Sequence, residues 1–473
     1  MARGTWNETN KPRIPGFYNR MQQKAQESAE SIAGVYSMPV KSDWGPIKKV
    51  TSINSLKALK NTFGENKELT AYKLGKLALL GKPKELLLYR LADSSAAKGS
   101  LMLVNTEESP TSVIKLETLY ESSRNFRISV TTNIINTSNK DIILFEGNTQ
   151  LAIVENLVND LDIIVEAING SDMCDYILAS KIEGATGTID SITTLDFTGG
   201  NNGTSNITAS DYMKAMKAFQ AEDINGFSLD GIADKEIITS AIEWVNTCRE
   251  EGVNVLFFSS TNADSISIAN SISKSYNNLA VHNGFATALK YDGITYTAAE
   301  AMVYVGALAL SKKLKESICN EVTIFEDVEP KLTRLQLATA LECGTIVFTI
   351  SDGKVVILDD VNTYKNYDIE EDEVLGNIRA VRFIDTVNNQ TSLKGEKEYA
   401  GKISNDDTGH TIILCGIKTF FDVWKSLGII SGYEVVTDDE LQKDAKVYQY
   451  FWKWNADYVD VTKQIFGTGN LVG

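Results

Sequence analysis

The sequence predicts an α/β protein with an inserted mostly-β unit, an α+β C-terminal unit, and extended N- and C-terminal arms. Three observations lead there. Between residues 193 and 344, short apolar runs alternate with amphipathic helical stretches, the pattern of a parallel sheet with helices on both faces. Between 105 and 192 the apolar period drops to two, the signature of half-buried strands. At the chain's end, Tyr448, Tyr450, Trp452 and Trp454 fall at every second position, so one strand face would carry all four rings. The expected organisation is an N-terminal arm (1–30), the first part of the α/β unit (31–104), the inserted β-rich unit (105–192) and the remaining α/β unit (193–344). A C-terminal α+β unit (345–455) and a C-terminal arm (456–473) complete it.

In chain order, residues 1–30 are polar and hold Pro12, Pro15 and Gly16 among Trp6, Phe17 and Tyr18. No helical or strand period is sustained, so an extended arm with aromatic docking points is expected. Ile32–Tyr36 reads as a strand. Ser55 can cap a helix that Gly64 stops, and Thr70 caps another through Leu80. Leu86–Leu91 is a continuous apolar run, as in a strand buried on both faces. Val113–Leu119, Phe126–Thr131 and Ile142–Phe145 alternate, separated by turn signals such as Glu146-Gly-Asn148. A helix is expected near Val154–Ile168. The α/β pattern resumes with helices from Thr208 to Ala221, Asp234 to Glu251, 264 to 277 and Tyr296 to Lys315. Strands at Phe227–Leu229, Val253–Phe258 and Leu279–Val281 lie between them. In the C-terminal unit, Thr345–Ile350, Ser351-Asp-Gly353 and Val355–Leu358 form a hairpin. Helices near Asp372–Val387 and Thr411–Ser426 come next, then the aromatic strand Lys446–Trp454. From Val459 the chain runs through Val461, Ile465 and Phe466 into an uncharged, glycine-punctuated ending. Such an ending either frays or docks, and the lack of charge points to docking on a neighbour.

Composition narrows the function. A length of 473 residues allows two to four domains, and 43% hydrophobic with 23% charged residues describes a globular chain. A formal net charge of −16 argues against a general nucleic-acid binder. The five cysteines are scattered without C-x-x-C spacing, which suggests reduced core thiols made in a cytoplasm. No apolar run approaches the roughly 20 residues of a membrane span. The N-terminus lacks an apolar signal region, so the sequons at Asn136 and Asn202 read as chance matches.

A search for chemistry finds little. The two histidines, His282 and His410, read as structural, with no Cys or carboxylate at metal-ligand spacing. There is no P-loop. Asp368–Glu373 and Asn405-Asp-Asp407 lack calcium-loop spacing. Gly199-Gly-Asn-Asn-Gly203 precedes a helix but carries no Lys or Arg, and reads as a tight connection. Gly203-Thr-Ser205 superficially matches a subtilisin-type nucleophile motif, but no histidine precedes Ser205. No catalytic, cofactor-binding or metal-ligating residue is assigned.

Six ordered stretches carry a resemblance. Arg3-Gly-Thr-Trp6 with Arg13-Ile-Pro-Gly16-Phe-Tyr18, Asp43-Trp-Gly-Pro46, Leu88-Tyr-Arg90, Phe197-Thr-Gly-Gly200, Tyr399-Ala-Gly-Lys402-Ile-Ser-Asn405 and Lys446-Val-Tyr to Phe466 together resemble contractile tail sheath proteins of Gram-positive myophages and phage-tail-like particles. Each is weak alone; the ordered set covers nearly the whole chain. The departure is at Trp454-Asn-Ala-Asp457, where the family has a proline-containing segment. The resemblance implies a non-catalytic, subtilisin-like sheath domain whose arms add strands to neighbouring subunits' sheets. It implies a C-terminal unit facing the tail tube, and self-assembly into stacked rings that contract to drive the tube through a cell envelope. The expected partners are other copies, the tube protein, and baseplate and tail terminator proteins, in a virion tail or tail-like particle assembled in the host cytoplasm. The expected inter-subunit arm contacts are Gly4, Thr5, Trp6, Pro15, Gly16, Phe17 and Tyr18 at one end, and Val459, Val461, Ile465, Phe466, Leu471 and Val472 at the other. Two rival classes remain: a degenerate serine hydrolase-like enzyme, which a fluorophosphonate probe on Ser205 would reveal, and a cell-surface or receptor-binding protein, which would stay monomeric.

Overall fold

The computed structural model describes residues 2–4, 16–18, 34–367 and 373–471. Its centre is an eight-stranded sheet. In spatial order the strands are Lys354–Ile357, Thr345–Ser351, Val281–Phe285, Leu256–Ser259, Gly226–Phe227, Val35–Val40, Glu85–Arg90 and Val50–Ile53. The six inner strands run parallel, and the two outermost pair antiparallel. Parallel neighbours need crossovers, and helices supply most of them on both faces. Successive residues of a strand point to opposite faces: Gly226 lies against Leu310 of one helical layer, while Phe227 meets Trp244 of the other.

The helix Ala298–Ser311 is the hub of this core, buried from Ala298 to Leu310 except at Glu300. A reciprocal Thr297–Glu300 capping box starts it, and Lys312 turns extended, so it is shorter than the expected 296–315. It packs at close range: a Cβ at Gly306 would fall 2.8 Å from the Phe258 ring, so only glycine fits. Asp234 caps the opposing helix Lys235–Glu250 by accepting from the Glu236 and Ile237 amides.

Residues 100–196 build a second core between two antiparallel sheets. One holds Thr149–Val158, Asn139–Glu146, Phe126–Thr132 and Ile192–Asp196; the other holds Ile177–Lys181, Ser112–Thr118 and Ser100–Val104. Ile114, Ile128, Leu144 and Ile164 are fully buried between them. The helix expected near Val154–Ile168 starts later. The chain stays extended to Val158, and Asp160 then caps Leu161–Asn169.

A third core joins the helices Ile378–Lys394 and Asp407–Ser426 to the antiparallel pair Ile430–Thr437 and Trp452–Tyr458. Three expectations are corrected here. The hairpin at 345–357 has the tight Asp352-Gly353 turn, both residues at positive φ as its sequence predicts. However, Thr345–Ser351 pairs with Val281–Phe285, so this hairpin is the edge of the large sheet rather than part of the C-terminal unit. The helix expected at 372–387 begins at Ile378 and continues through a π-turn, Gly395–Tyr399. The aromatic strand begins at Trp452, not Lys446. At the other end of the chain, Ala2–Gly4 pairs in parallel with Gly16–Tyr18.

Candidate functional site

The residues that could act are those joining the three cores and those where the C-terminal segment leaves its own fold. The first junction is built by three of the short motifs. Trp44 lies just past the strand Val35–Val40 of the large sheet, yet its ring lies in the second core. It meets Tyr120 edge-on at 5.2 Å and Phe126 at 5.4 Å, with the Arg124 guanidinium 4.7 Å above it. Arg124 is fixed in turn by a two-point pair with Glu146, both bonds 2.7 Å. Arg90, wholly buried at the end of its strand, donates to the carbonyls of Ser42 (3.1 Å), Gly45 (2.5 Å), Glu121 (2.7 Å) and Asn202 (3.3 Å). One guanidinium therefore ties the sheet and the loop at 42–45 to Glu121 of the second core and to Asn202, where the chain returns from it. Burial pulls its pKa down to about 10, still far above neutral pH. Gly200 completes the crossing, since a side chain there would overlap the Ser122 carbonyl. The glycine loop at 199–203 is thus a tight connection.

The second locus is the C-terminal hairpin and the chain beyond it. Trp452, Trp454, Ala456 and Tyr458 face the third core, where Phe383, Phe421 and the fully buried Trp424 receive them. Trp454 lies 5.5 Å from Phe421, and Tyr458 lies 6.0 Å from Phe383. Tyr448 is exposed, and Tyr450 leaves to stack on His410 at 4.0 Å. Among the described residues the two strands pair only with each other, so each keeps one open edge.

Beyond Tyr458 the chain is pinned at Val459, Asp460 and Lys463. The Val459 amide donates to Ile429 O at 3.0 Å. Arg379, 3% exposed, donates to Leu314 O (2.7 Å), Tyr458 Oη (2.8 Å), Val459 O (2.8 Å) and Asp460 (3.1 Å). Lys463 then reaches Asp360 (2.5 Å), Asp359 (2.8 Å) and Asn377 (3.1 Å). Burial acts to lower the Lys463 pKa, but Asp360 and Asp359 hold it above its ordinary value. Burial raises the Asp360 carboxyl, whereas Lys463 outweighs burial at Asp359 and lowers it.

From Gln464 to Leu471 every residue is exposed, Ile465, Phe466 and Leu471 almost completely. Of the expected arm contacts, these three stand free of the subunit's own core, while Val459 is bonded to it and Val461 is half-buried. Gly4, Gly16, Phe17 and Tyr18 lie in the short parallel pair. Thr5, Trp6, Pro15 and Val472 lie outside the described residues.

His282 is fully buried, its ring stacked on Phe258 at 4.3 Å and its Nδ1 bonded to Phe257 O at 3.0 Å, whereas Ser205 is exposed. Cys248 and Cys343 are buried, but Cys415 is exposed, against the expectation of core thiols throughout. Among the described residues no helix is long and apolar enough to cross a membrane.

Comparisons with known proteins point one way. The family described as "Phage tail sheath protein central domain" matches residues 205–363, and "Phage tail sheath C-terminal domain" matches 370–471. A Bacillus subtilis (strain 168) protein named "Uncharacterized protein YqbK" is 20% identical over 466 residues, covering 94% of this chain and 93% of that one. The crystal structure of a sheath tail protein from Desulfitobacterium hafniense shares the fold, with a TM-score of 0.72 at 18% identity. That match covers 94% of this chain and all of the other. The helical sheath of the anti-feeding prophage in its contracted state matches with a TM-score of 0.55 at 11% identity, over 97% and 99% of the two chains.

Proposed function

The chain belongs to the phage tail sheath family, a structural sheath subunit, and from that premise we propose that its copies polymerise into stacked rings around a tail tube and contract to drive the tube through a target envelope. The observation that carries this reading is an open-edged, two-stranded sheet beside an uncharged, exposed segment with free Ile465, Phe466 and Leu471. Such a segment adds a strand to a neighbour's sheet: main-chain bonds supply affinity, and alternating side chains supply register. Head-to-tail contacts of this kind are heterologous and propagate as rings or helices.

Contraction is then a rigid-body rearrangement between two lattices, with the arms as connectors that stay engaged. No nucleotide or cofactor takes part, because the energy is stored at assembly. The doubly wound body serves as a subtilisin-like scaffold without its reactive centre. The arrangement of His282 and Ser205 supports this, since the ring is sealed in the core while the hydroxyl faces solvent. In this reading the N-terminal segment 1–30 is the second arm, the β-rich unit faces outward, and the C-terminal unit faces the tube. Baseplate and terminator proteins bind the ends of the sheath, which belongs to a virion tail or tail-like particle assembled in the host cytoplasm.

The test is deletion of residues 464–473, with negative-stain electron microscopy of concentrated protein. Folded subunits that no longer form sheaths are expected. Normal sheaths from the truncated chain would overturn the arm reading.

A further inference from the structure

The geometry points to Val459–Lys463 as a strain-relief clamp, which fixes where the C-terminal segment leaves the subunit and passes tension on that segment to the folded body instead of to the strand Trp452–Tyr458. The inference rests on the proposed strand exchange, since only an arm held by a neighbour is pulled.

The need for such a device comes from the hairpin. Tyr458 pairs with Ile430 at the open end of the ladder, and Trp452 with Thr437 near the turn. A pull applied directly at Tyr458 would load the outermost pair first and open the others in sequence. A two-stranded ladder resists this poorly, because each step breaks few bonds at a time and such pairs are marginal on their own. Tension entering beyond Lys463 meets a different arrangement. Lys463, Asp460 and the Val459 carbonyl are all held by groups outside the hairpin.

Those groups are themselves anchored. Asp359 and Asp360 follow the strand Lys354–Ile357 of the eight-stranded sheet after one residue, Leu358, and Asp360 O accepts from the Ile378 amide at 2.8 Å. Asn377, the third partner of Lys463, is the residue before the helix Ile378–Lys394. Arg379 is locked by its Nε bond to Leu314 O. Three residues of the departing chain, Val459, Asp460 and Lys463, are therefore tied to groups outside the hairpin, and tension reaching Lys463 first meets its three partners at once, so several bonds must break together.

Burial sharpens the assignment. Asp360 is 1% and Arg379 3% exposed, so water does not compete for either group. Charged partners placed this deep form a specific seat, and a lysine that only decorated a surface would not need one. Lys463 lies 103 positions from Asp360 in sequence, so the contact is tertiary rather than a local turn.

The test uses the full-length subunit in two assays. In hydrogen exchange on the unassembled protein, Lys463→Met is expected to speed exchange at 459–463 by tenfold or more, with Trp452–Tyr458 changed less than twofold. In optical-trap pulling between residue 34 and the C-terminus, wild type should release the C-terminal segment in one step. Lys463→Met should open the hairpin gradually at lower force, and Lys463→Arg should behave as wild type. Should Lys463→Met misfold around two uncompensated aspartates, Asp359→Asn/Asp360→Asn/Lys463→Met removes all three charges and is read in the same assays with the same expectation as Lys463→Met. Unchanged exchange and unchanged rupture in the charge-free variant would overturn the clamp, whatever the truncated chain does. Sheaths formed without residues 464–473 would instead overturn strand exchange while leaving the exchange result at 459–463 intact.

Discussion

Trp44→Ala should uncouple the β-rich unit from the sheet while leaving the sheet itself intact. Trp44 is 3% exposed and lies in the second core although its backbone belongs to the first crossing of the large sheet. Removing a buried indole costs about 3–5 kcal/mol in lost transfer energy and cavity formation. Two close aromatic neighbours at 5.2 and 5.4 Å and a guanidinium at 4.7 Å place the cost toward the upper end, each aromatic pair adding roughly 0.5–1.5 kcal/mol. Its ring contacts all lie on the β-rich side: Tyr120, Phe126, Tyr176 and Arg124. Protection should therefore fall unevenly. In hydrogen exchange resolved by mass spectrometry, Phe126–Thr132 and Asn139–Glu146 should lose roughly 100-fold or more, since every 1.4 kcal/mol is a factor of ten. Leu256–Ser259, deep in the large sheet, should change little. Trp44→Phe keeps part of the stack and should lose less. An equal loss in both cores, or none in either, would refute the view that Trp44 is a peg between two separately cooperative units.

Arg379→Met removes the buried partner of the half-exposed Asp460 and leaves the Leu314 and Val459 carbonyls and Tyr458 Oη unanswered, which should cost about 1–3 kcal/mol in urea unfolding. Stability should also fall in mild acid through His282, whose pKa burial pulls down to about 3. The sign is that of a depressed base. Its contribution is full above the unfolded value near 6.5 and is lost as pH falls toward the folded value. Between pH 7 and 4.5 it removes about 2–3 kcal/mol, and His282→Phe should flatten that part of the profile relative to wild type. Gly200→Ala forces a methyl onto the Ser122 carbonyl and should lower stability by roughly 1–3 kcal/mol in thermal unfolding. Gly395→Ala, with open space around it, is the control and should be nearly neutral.

The alternation of apolar strands and helices exposed the doubly wound body, because local periodicity records which face of each element is buried. The same signal marked the β-rich insertion. Phase was legible and ends were not. The alternation through Trp452 and Trp454 continues inward to Ala456 and Tyr458, but the strand starts six residues later than its aromatic pattern suggests. Tyr448 and Tyr450 share the spacing without the burial, because the chain is still turning at 446–449 and Asn405 bonds the Val447 and Gln449 carbonyls there. The edge hairpin at 345–357 was readable as a hairpin but not as part of the large sheet, since which sheet a strand joins depends on contacts remote in sequence. For the same reason Arg90, Arg379 and Lys463 carry no local mark of their roles. The one available signal was Asp359-Asp360 directly after the apolar run Val355–Leu358, where two adjacent carboxylates enter a core and a cation must meet them.

The later start of the free segment changes what strand exchange requires of its recipient. In an extended strand, Ile465, Gly467, Gly469 and Leu471 share one face, and Phe466, Thr468 and Asn470 share the other. The first face is bulky at its ends and empty in the middle. Glycines weaken a strand on their own, having no side chain to pack, so their use here is a cost unless something large fills the gap. The hairpin's buried face offers large rings, Trp452, Trp454 and Tyr458. A ring laid across a strand glycine restores the missing contact. On the proposed exchange, the glycines would let a neighbour's aromatic face close over the arm, while Ile465 and Leu471 set the register at either end. Paired valines at 467 and 469, though better strand formers, should therefore abolish assembly. If they instead strengthened it, the arm would be held by its backbone alone and the pattern of its side chains would be incidental.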